Sequence, residues 1–560
     1  MTAITDPSTC AWVCAHHGQR VRQLFAALNL ELPALAAVRA AVAAEDWERA
    51  GAALLDYYRA GDSGQWLRHD PVPPGEGTDP DAERMARACF PVPGGEVQLP
   101  RLPSGNFDWG HVPPVVGGIE WSCGVNRHDY MADLLRAFYA TGNRAYVRAL
   151  TEQVHDWCAT VAEPDPIDRH DGSSPWGTIL EVGHRAKAWP AVFYGLQPEA
   201  AFTPAARLLL LCRALDHAQF LRRHHAGGSN WIITEMCGLL SIACAFPELR
   251  DAGEWRDLAL RLTQEELAGQ LYPDGVQKEL ASNYQLAVLW HMDFFVATVR
   301  GAGMPADPAL SALLEAMWNY LAYALSPNGY APHNSDSDRP LSDASQAIKP
   351  LLARGPILAA ADAYDRPDWR YIATNGEEGA RPPRSPSVLF PWAGQLIMRS
   401  GWEAEAQWGF FDLGPWGILH QHNDMLHLSV TAGGRDLLVD SGRYTYQHYM
   451  GEAGTWRSYF IGSAAHNVIC VDGLEQTNGP ALAARPVEAV ITPAYDYAQG
   501  TYAGGFTDVA TAAARHKAYL YRWELPRDAV REDITHTRGV LYLRGVGWVV
   551  VDRVTLMQPR

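Results

Sequence analysis

Apolar residues recur at three- and four-residue steps along the first two thirds of the chain. The pattern predicts helices over Ala34–Ala44, Tyr130–Ala140, Tyr146–Val161, Trp176–Gly195, Pro204–Leu221, Trp231–Ala245, Trp255–Gln270, Tyr284–Val299 and Ala309–Ala324. Turn signals such as Thr141-Gly142-Asn143, Gly227-Gly228-Ser229, Pro273-Asp274-Gly275 and Ser326-Pro327-Asn328-Gly329 separate them. Helices at such even spacing suggest antiparallel pairs wound into an (α/α) toroid over residues 1–375. A plain bundle or solenoid fits the same periodicity. The first hundred residues carry no usable motif.

Residues 376–389 break the pattern with Gly, Pro and charge and read as a linker. Beyond them the period shortens. Gln395–Arg399, Gln407–Asp412, Leu426–Ala432, Asp436–Val439, Val468–Val471, Val487–Thr492, Leu541–Leu543 and Val546–Val551 are short β-branched and aromatic runs, most of them bounded by glycine turns. Residues 390–560 therefore predict an antiparallel β-sandwich. A chain of 560 residues exceeds what one hydrophobic core normally serves, in keeping with a multidomain α and β protein.

Composition narrows the function. With 46 Lys+Arg against 63 Asp+Glu the net charge is −17, which argues against nucleic acid as the main partner. The apolar runs are too short to cross a bilayer. Residues 1–18 show no charged segment followed by an apolar one, so no signal peptide is visible and the sequence alone reads as cytoplasmic. The nine cysteines include no CxxC pair. Most sit in apolar patterns as expected of buried thiols, and Cys10 and Cys14 share a helix face.

The densest chemistry lies in Gly417-Ile418-Leu419-His420-Gln421-His422-Asn423-Asp424-Met425-Leu426-His427. On a strand His420, His422 and Asp424 share a face, and His427 begins the opposite alternation as a surface or interface histidine. Asp440 ends the run Leu437-Leu438-Val439, and His466 precedes Asn467. His, Asp and His from neighbouring strands suit a three-ligand metal site; a polar network closing a sheet edge is the plainer alternative. In the helical part, Asn230-Trp231 opens a helix with Glu235 a turn further in, and Glu279 and Tyr284 follow about fifty residues on. Asn230 can equally be an N-cap, and Tyr284 a core residue. Glu181 and Arg185 stand four apart on one helix face. Asn126, Arg127, His128 and the polar run His333–Arg339 are further cleft candidates, with salt bridges or caps the plainer reading. Trp231, Trp416, Tyr444 and Tyr446 are candidate aromatic platforms, with core or interface packing the plainer reading.

Several ordered motifs together resemble the heparinase II/III-type polysaccharide lyases, most nearly the heparinase III branch. In the helical part they are Phe107-Asp108-Trp109-Gly110-His111, Asn126-Arg127-His128-Asp129-Tyr130, Leu180-Glu181-Val182-Gly183-His184-Arg185, Asn230-Trp231, Phe246-Pro247-Glu248 and Asp274-Gly275 with Glu279 and Tyr284. In the β part they are His420-Gln421-His422-Asn423-Asp424, Leu437-Leu438-Val439-Asp440-Ser441-Gly442, Trp456-Arg457-Ser458-Tyr459-Phe460 and Ala465-His466-Asn467. The resemblance covers roughly residues 100–560 and implies an incomplete (α/α) toroid followed by an antiparallel β-sandwich, with the active site in the cleft between them. It implies β-elimination on a uronic-acid-containing, heparan-sulfate-like glycan. Asn230 would neutralise the C5 carboxylate, with Tyr284 and His420 as acid and base. His422, Asp440 and His466 would hold a structural zinc. Trp231, Glu181, Arg185, Glu279 and Tyr444 are the candidate substrate contacts. Gln285 stands where related enzymes often have His, a change expected to alter substrate contacts.

By the same resemblance the sandwich should continue past Arg560, so the sequence reads as truncated, and export to the periplasm or beyond is usual. Oligomeric state is not indicated. An alginate or other uronate oligosaccharide lyase is the near alternative; a glycoside hydrolase or a non-catalytic glycan-binding protein is the distant one. Arg127, Arg185, Arg222, Arg223, Arg435, Arg443 and Arg457 lie in or beside these motifs, so a basic groove in an acidic body is expected. The overall charge favours a weakly sulfated or carboxylate-only chain over dense heparin.

Overall fold

The structure is a computed structural model that describes residues 6–92, 95–115, 120–163, 174–338, 353–414, 417–444, 455–477, 486–512 and 530–557. Trp416, Arg339 and Tyr446 lie outside the described residues. The chain forms two compact units that interleave in sequence. One comprises Met1–Leu267, His291–Ala306 and Ser342–Ala347; the other comprises Ala268–Trp290, Asp307–Leu341 and Ile348–Arg560.

Each of the nine segments with helical periodicity is a helix, with ends within about three residues of the periodic run. Local chemistry explains the boundaries. Thr178 and Glu181 form a reciprocal capping box at the start of Ile179–Gly195, and Thr203 caps Pro204–Arg223 by accepting from Ala206 N–H. Helices Cys10–His16, Gly18–Ala27 and Trp47–Ala60 fill the motif-poor N-terminus. In the last of these Asp46 is the N-cap, and Ala50, Leu54, Leu55 and Tyr58 form the buried stripe.

Within the helical unit, Ile179–Gly195 packs on Asn230–Ala245, and both pack on Pro204–Arg223. The first pair approach closely because each carries a glycine at the crossing. A Cβ on Gly238 would meet Gly183 O at 2.5 Å, and one on Gly183 would meet Glu235 Cα at 2.9 Å. No helix among the described residues is long and apolar enough to cross a membrane. All nine cysteines are unbonded.

Among the described residues the second unit holds two larger antiparallel sheets and a short two-stranded one, Glu475–Gln476 with Phe506–Thr507. One larger sheet is a five-stranded meander of Val388–Phe390, Gln395–Arg399, Trp408–Asp412, Leu428–Ala432 and Arg435–Leu438. The other larger sheet orders Gly547–Leu556, Ile534–Leu543, Tyr495–Tyr502 and Ala489–Ile491. Leu396, Met398, Phe411, Leu428 and Val430 of the first sheet join Ala498, Tyr502, Ile534, Val540 and Tyr542 of the second in one core. The runs at Leu541–Leu543 and Val546–Val551 belong to a ten-residue hairpin pair, Ile534–Leu543 with Gly547–Leu556.

Two predicted strands are absent. Val468–Val471 makes only an isolated bridge between Val471 and Leu474, because the chain there leaves a short 3-10 turn, Ser463–Ala465, half exposed. The segment from Gly417 to Asp424 is irregular rather than a strand, since Leu419 and His420 have φ of 55° and 49°, incompatible with a pleated ladder.

Candidate active site and metal cluster

The loop that replaces the expected strand is pinned from several sides within its own unit. Ile418 N–H donates to Lys278 O at 2.9 Å, and Asn423 N–H to Ile461 O at 2.8 Å. Gln476 holds Met425 at both its N–H and its carbonyl. These bonds offset the strain of positive φ at two bulky residues.

His420 is thereby turned onto Tyr284. The two rings stack with centroids 3.7 Å apart and planes 13° from parallel. Tyr284 lies in the first turn of helix Ser282–Gly301. Asn334 fixes that helix start: its Oδ1 accepts from Ser282 N–H and Oγ, and its Nδ2 donates to Leu280 O. The His420 imidazole sits between two fully buried carboxylates. Nδ1 is 2.9 Å from Asp336 Oδ2, and Nε2 is 3.6 Å from Glu279 Oε2.

Asp336 is the hub of the site. Arg457 grips it with both terminal nitrogens, Nη1 to Oδ1 at 2.5 Å and Nη2 to Oδ2 at 2.9 Å. His422 Nε2 also reaches Oδ1, at 3.0 Å. Burial alone would raise the Asp336 carboxyl. Arg457 and the hydrogen bonds from His420 and His422 instead hold it well below the ordinary carboxylate range. Arg457 comes from helix Trp456–Ile461, which has its own Thr455/Ser458 capping box.

Next to this pair lies a buried cluster of His422, Asp424, Asp440 and His466, whose ligating atoms all fall within 4.8 Å of one another. The hydrogen bonds around it decide which atoms face inward. His422 uses Nε2 toward Asp336, and His466 uses Nδ1 toward Gly462 O at 2.8 Å. The remaining nitrogens, His422 Nδ1 and His466 Nε2, face each other at 3.2 Å. Two nitrogens sharing a tetrahedral ion at about 2.0–2.1 Å would stand about 3.3 Å apart. Asp440 Oδ2 is buried, accepts no hydrogen bond among the described residues, and lies 3.6 Å from His466 Nε2. Asp440 Oδ1 is occupied by Gly442 N–H at 2.7 Å. Gly442 has φ 65°, and a Cβ there would meet Ser337 O at 2.3 Å, so the turn after Asp440 requires glycine. The donor set therefore fits a metal ion: outward hydrogen bonds orient both imidazoles, and an orphaned carboxylate oxygen points inward.

Burial and neighbouring charges shift the ionisation of the cluster in opposite directions. Burial lowers His466, but Asp440 and Asp424 together bring it above the ordinary histidine value. Burial raises Asp424, with neighbouring Asp440 adding to the effect against the pull of His466. Asp412, buried close by, is pushed up to about 8 by burial and then by the Asp424 charge.

The predicted residues are placed as follows. Tyr284, His420 and Glu279 come together, and His422, Asp440 and His466 come together with Asp424 added. Arg185 is completely buried in the helical unit, donating to His217 Nε2, Asn126 O and Trp176 O. Glu181 is buried too, capping its own helix and bonding Arg127 at 2.9 Å rather than Arg185. These two side chains serve helix packing. Asn230 is not the N-cap; Ser229 is, and Asn230 is the first helical residue, half exposed. Trp231 follows it, also half exposed. The preceding loop is tied down by Glu235, which accepts from Ala226 N–H, and Glu266, which accepts from Gly228 N–H. Tyr444 is 58% exposed and stacks on Phe460, beside Trp456 at 65% exposure.

Three expectations are corrected. His427 is buried rather than on a surface; its Nδ1 accepts from Asn467 N–H and its Nε2 meets Ser429 Oγ. Gln285 is buried as well, bonding Gln277 N–H and the carbonyls of Gly275 and Met317, so it shapes the preceding turn. Of the arginines expected to line a groove, Arg185, Arg443 and Arg457 are buried, the last two against Asp338 and Asp336.

Family models place the chain in a known class. The heparinase II/III N-terminal family model matches residues 24–350, and the heparinase II/III-like C-terminal model matches residues 382–560. The chain belongs to the heparinase II/III family. A heparin-sulfate lyase of Pedobacter heparinus is 25% identical over 458 residues, covering 78% of this chain and 65% of the relative. One from Bacteroides stercoris is 24% identical over 483 residues, covering 81% and 69%. The chain thus spans about two thirds of the length of these curated relatives. Among solved structures, a heparinase III matches with TM-score 0.74 at 18% identity, covering 96% of this chain and 80% of that one. The heparan sulfate lyase of Pedobacter heparinus matches with TM-score 0.58 at 23% identity, covering 95% and 78%. The fold is theirs, a helical toroid domain followed by an antiparallel β-sandwich domain.

Proposed function

We propose that this chain is a polysaccharide lyase that cleaves uronate-containing, heparan-sulfate-like glycans by β-elimination. The observation that carries the reading is the Tyr284–His420 stack, with the imidazole held by Asp336. β-Elimination removes the C5 proton of a uronate and expels the oxygen at C4. A phenol, with an ordinary pKa near 10, starts protonated and can deliver its proton to the leaving oxygen. His420 takes the complementary acid–base role. Asn230, an amide at a helix start, is assigned the uronate carboxylate, whose charge must be offset before C5 becomes acidic. Glu279 completes the setting of His420, and Tyr444 and Trp231 are proposed sugar contacts.

Zinc is the proposed occupant of the cluster, held by His422, Asp440 and His466 with Asp424 as a fourth donor. Bound there, the ion would supply structural cross-linking of the loop that carries His420, leaving proton transfer to the side chains.

A retaining or inverting glycosidase needs two carboxyl groups flanking the scissile bond. Glu279 and Asp336, the two carboxylates nearest His420, are fully buried and directed at its imidazole, which favours elimination over hydrolysis. The test is a panel of heparan sulfate, heparin, alginate and hyaluronan, followed by ultraviolet absorbance of the unsaturated uronate. Unsaturated product from heparan sulfate is expected. Reducing ends without unsaturation would overturn the reading.

A further inference from the structure

We infer that Asp336 is a positioning residue shared by the acid–base histidine and the metal cluster, setting the proton-bearing nitrogen of both His420 and His422. The inference rests on the lyase reading for the role of His420, and on geometry alone for His422. The two oxygens divide the work. Oδ1 receives His422 Nε2 at 3.0 Å, and Oδ2 receives His420 Nδ1 at 2.9 Å. A carboxylate only accepts, so each imidazole must place N–H on the nitrogen facing it. For His422 this leaves the Nδ1 lone pair aimed at His466 Nε2, which is what a metal ligand needs. For His420 it places the proton-exchanging nitrogen, Nε2, on the side of Glu279.

Arg457 keeps the carboxylate in one orientation, because its two terminal nitrogens address the two oxygens in parallel. The backbone closes the loop: Asp336 N–H donates to His420 O at 3.0 Å. A shift of Asp336 therefore moves both imidazoles at once. Sequence motifs do not announce this residue. It stands in a polar run, 84 positions from His420, with no histidine pattern of its own.

The experiment compares the full chain with Asp336→Ala and Asp336→Asn, each also made with Arg457→Gln so that no unpaired guanidinium is left buried. Cooperative melting identifies the folded forms. Zinc affinity is read by chelator competition with zinc alone, and the donor set by the visible spectrum of the cobalt-loaded protein. Turnover on heparan sulfate is read at saturating zinc, separating kcat from KM. Alanine is expected to weaken zinc about 10–100-fold, change the cobalt spectrum, and lower kcat by about tenfold or more with KM little changed. Asparagine keeps one acceptor oxygen and is expected to recover one of the two properties by about threefold or more. A folded alanine form with wild-type zinc affinity, or with wild-type kcat, overturns the shared role. Wild-type protein that binds zinc yet cleaves no uronate polymer overturns the function reading instead, while the zinc comparison still decides the His422 half.

Discussion

Buried histidines meet opposite surroundings in the two compact units. In the helical unit His128 and His217 are fully enclosed. His128 Nδ1 accepts from Trp189 Nε1, and His217 Nε2 accepts from Arg185 Nε, with tryptophan rings around both. Burial first, then the Arg185 charge, drives both well below the ordinary histidine range. In the β unit His422 and His466 are equally enclosed but have carboxylates for company, and His466 is raised. His427 shows that the neighbours matter more than the unit. It lies in the β unit, its hydrogen bonds run to Ser429 and Asn467 rather than to a carboxylate, and burial pushes it down to about 3 against the raising charge of Asp440. His128 and His217, among arginine and tryptophan, are packing pieces; His422 and His466, among aspartates, belong to a cluster that could hold a metal ion.

The largest effect expected from this contrast is on metal. His466→Ala should weaken zinc by more than the about 10–100-fold typical of losing an outer partner, whereas His427→Gln should leave affinity near wild type. Chelator competition on both variants checks this, and equal losses would break the distinction.

The second expectation concerns acid. A histidine whose folded pKa is depressed stays neutral in the native state while the unfolded chain takes up a proton below about 6.5. Its stabilising effect is therefore full above that pH and is lost as pH falls. His128 and His217 should each contribute a slope of about 1.4 kcal/mol per pH unit below 6.5. Urea unfolding at several pH values, with His217→Gln for comparison, should show the variant less steep by about that amount. Identical slopes would mean His217 is not neutral in the fold.

A smaller effect is expected at the helix crossing. Gly238→Ala puts a methyl against Gly183 O and should destabilise the helical unit by about 1–3 kcal/mol. Cysteine labelling would show where: Cys237 and Cys244, buried on the same helix, should become reactive sooner than Cys10. Unchanged labelling would contradict the close crossing.

How far these features were legible in the sequence differs between the two units for a physical reason. Helices announce themselves through local periodicity, so Pro204–Leu221 was readable almost to its observed end at Arg223. The convergence of His422, Asp440 and His466 was readable as residue types, and with Asp424 they form a cluster that could hold a metal ion. Their backbone was not readable. Alternation suggested a strand through His420–Asp424, but loop bonds to Lys278 and Ile461 hold Leu419 and His420 at positive φ. The pairing of Asp336, which lay in the candidate run His333–Arg339, with Arg457 escaped because a buried ion pair 121 residues apart leaves no local signal. Arg457 looked like part of a basic groove, and the fold turned it inward. Glu181 and Arg185 show the reverse, an apparent site pair on one helix face that is used for capping and packing.

The β-elimination proposed for Tyr284 and His420 is open to direct test. The most direct measurement is the ultraviolet absorbance of product from heparan sulfate, with zinc-loaded wild type beside Tyr284→Phe and His420→Ala. Unsaturated product is expected from wild type, with a loss of about 10²–10⁴-fold in kcat for each variant and zinc content unchanged in Tyr284→Phe. Wild-type rates of unsaturated product from folded Tyr284→Phe would contradict the proposal.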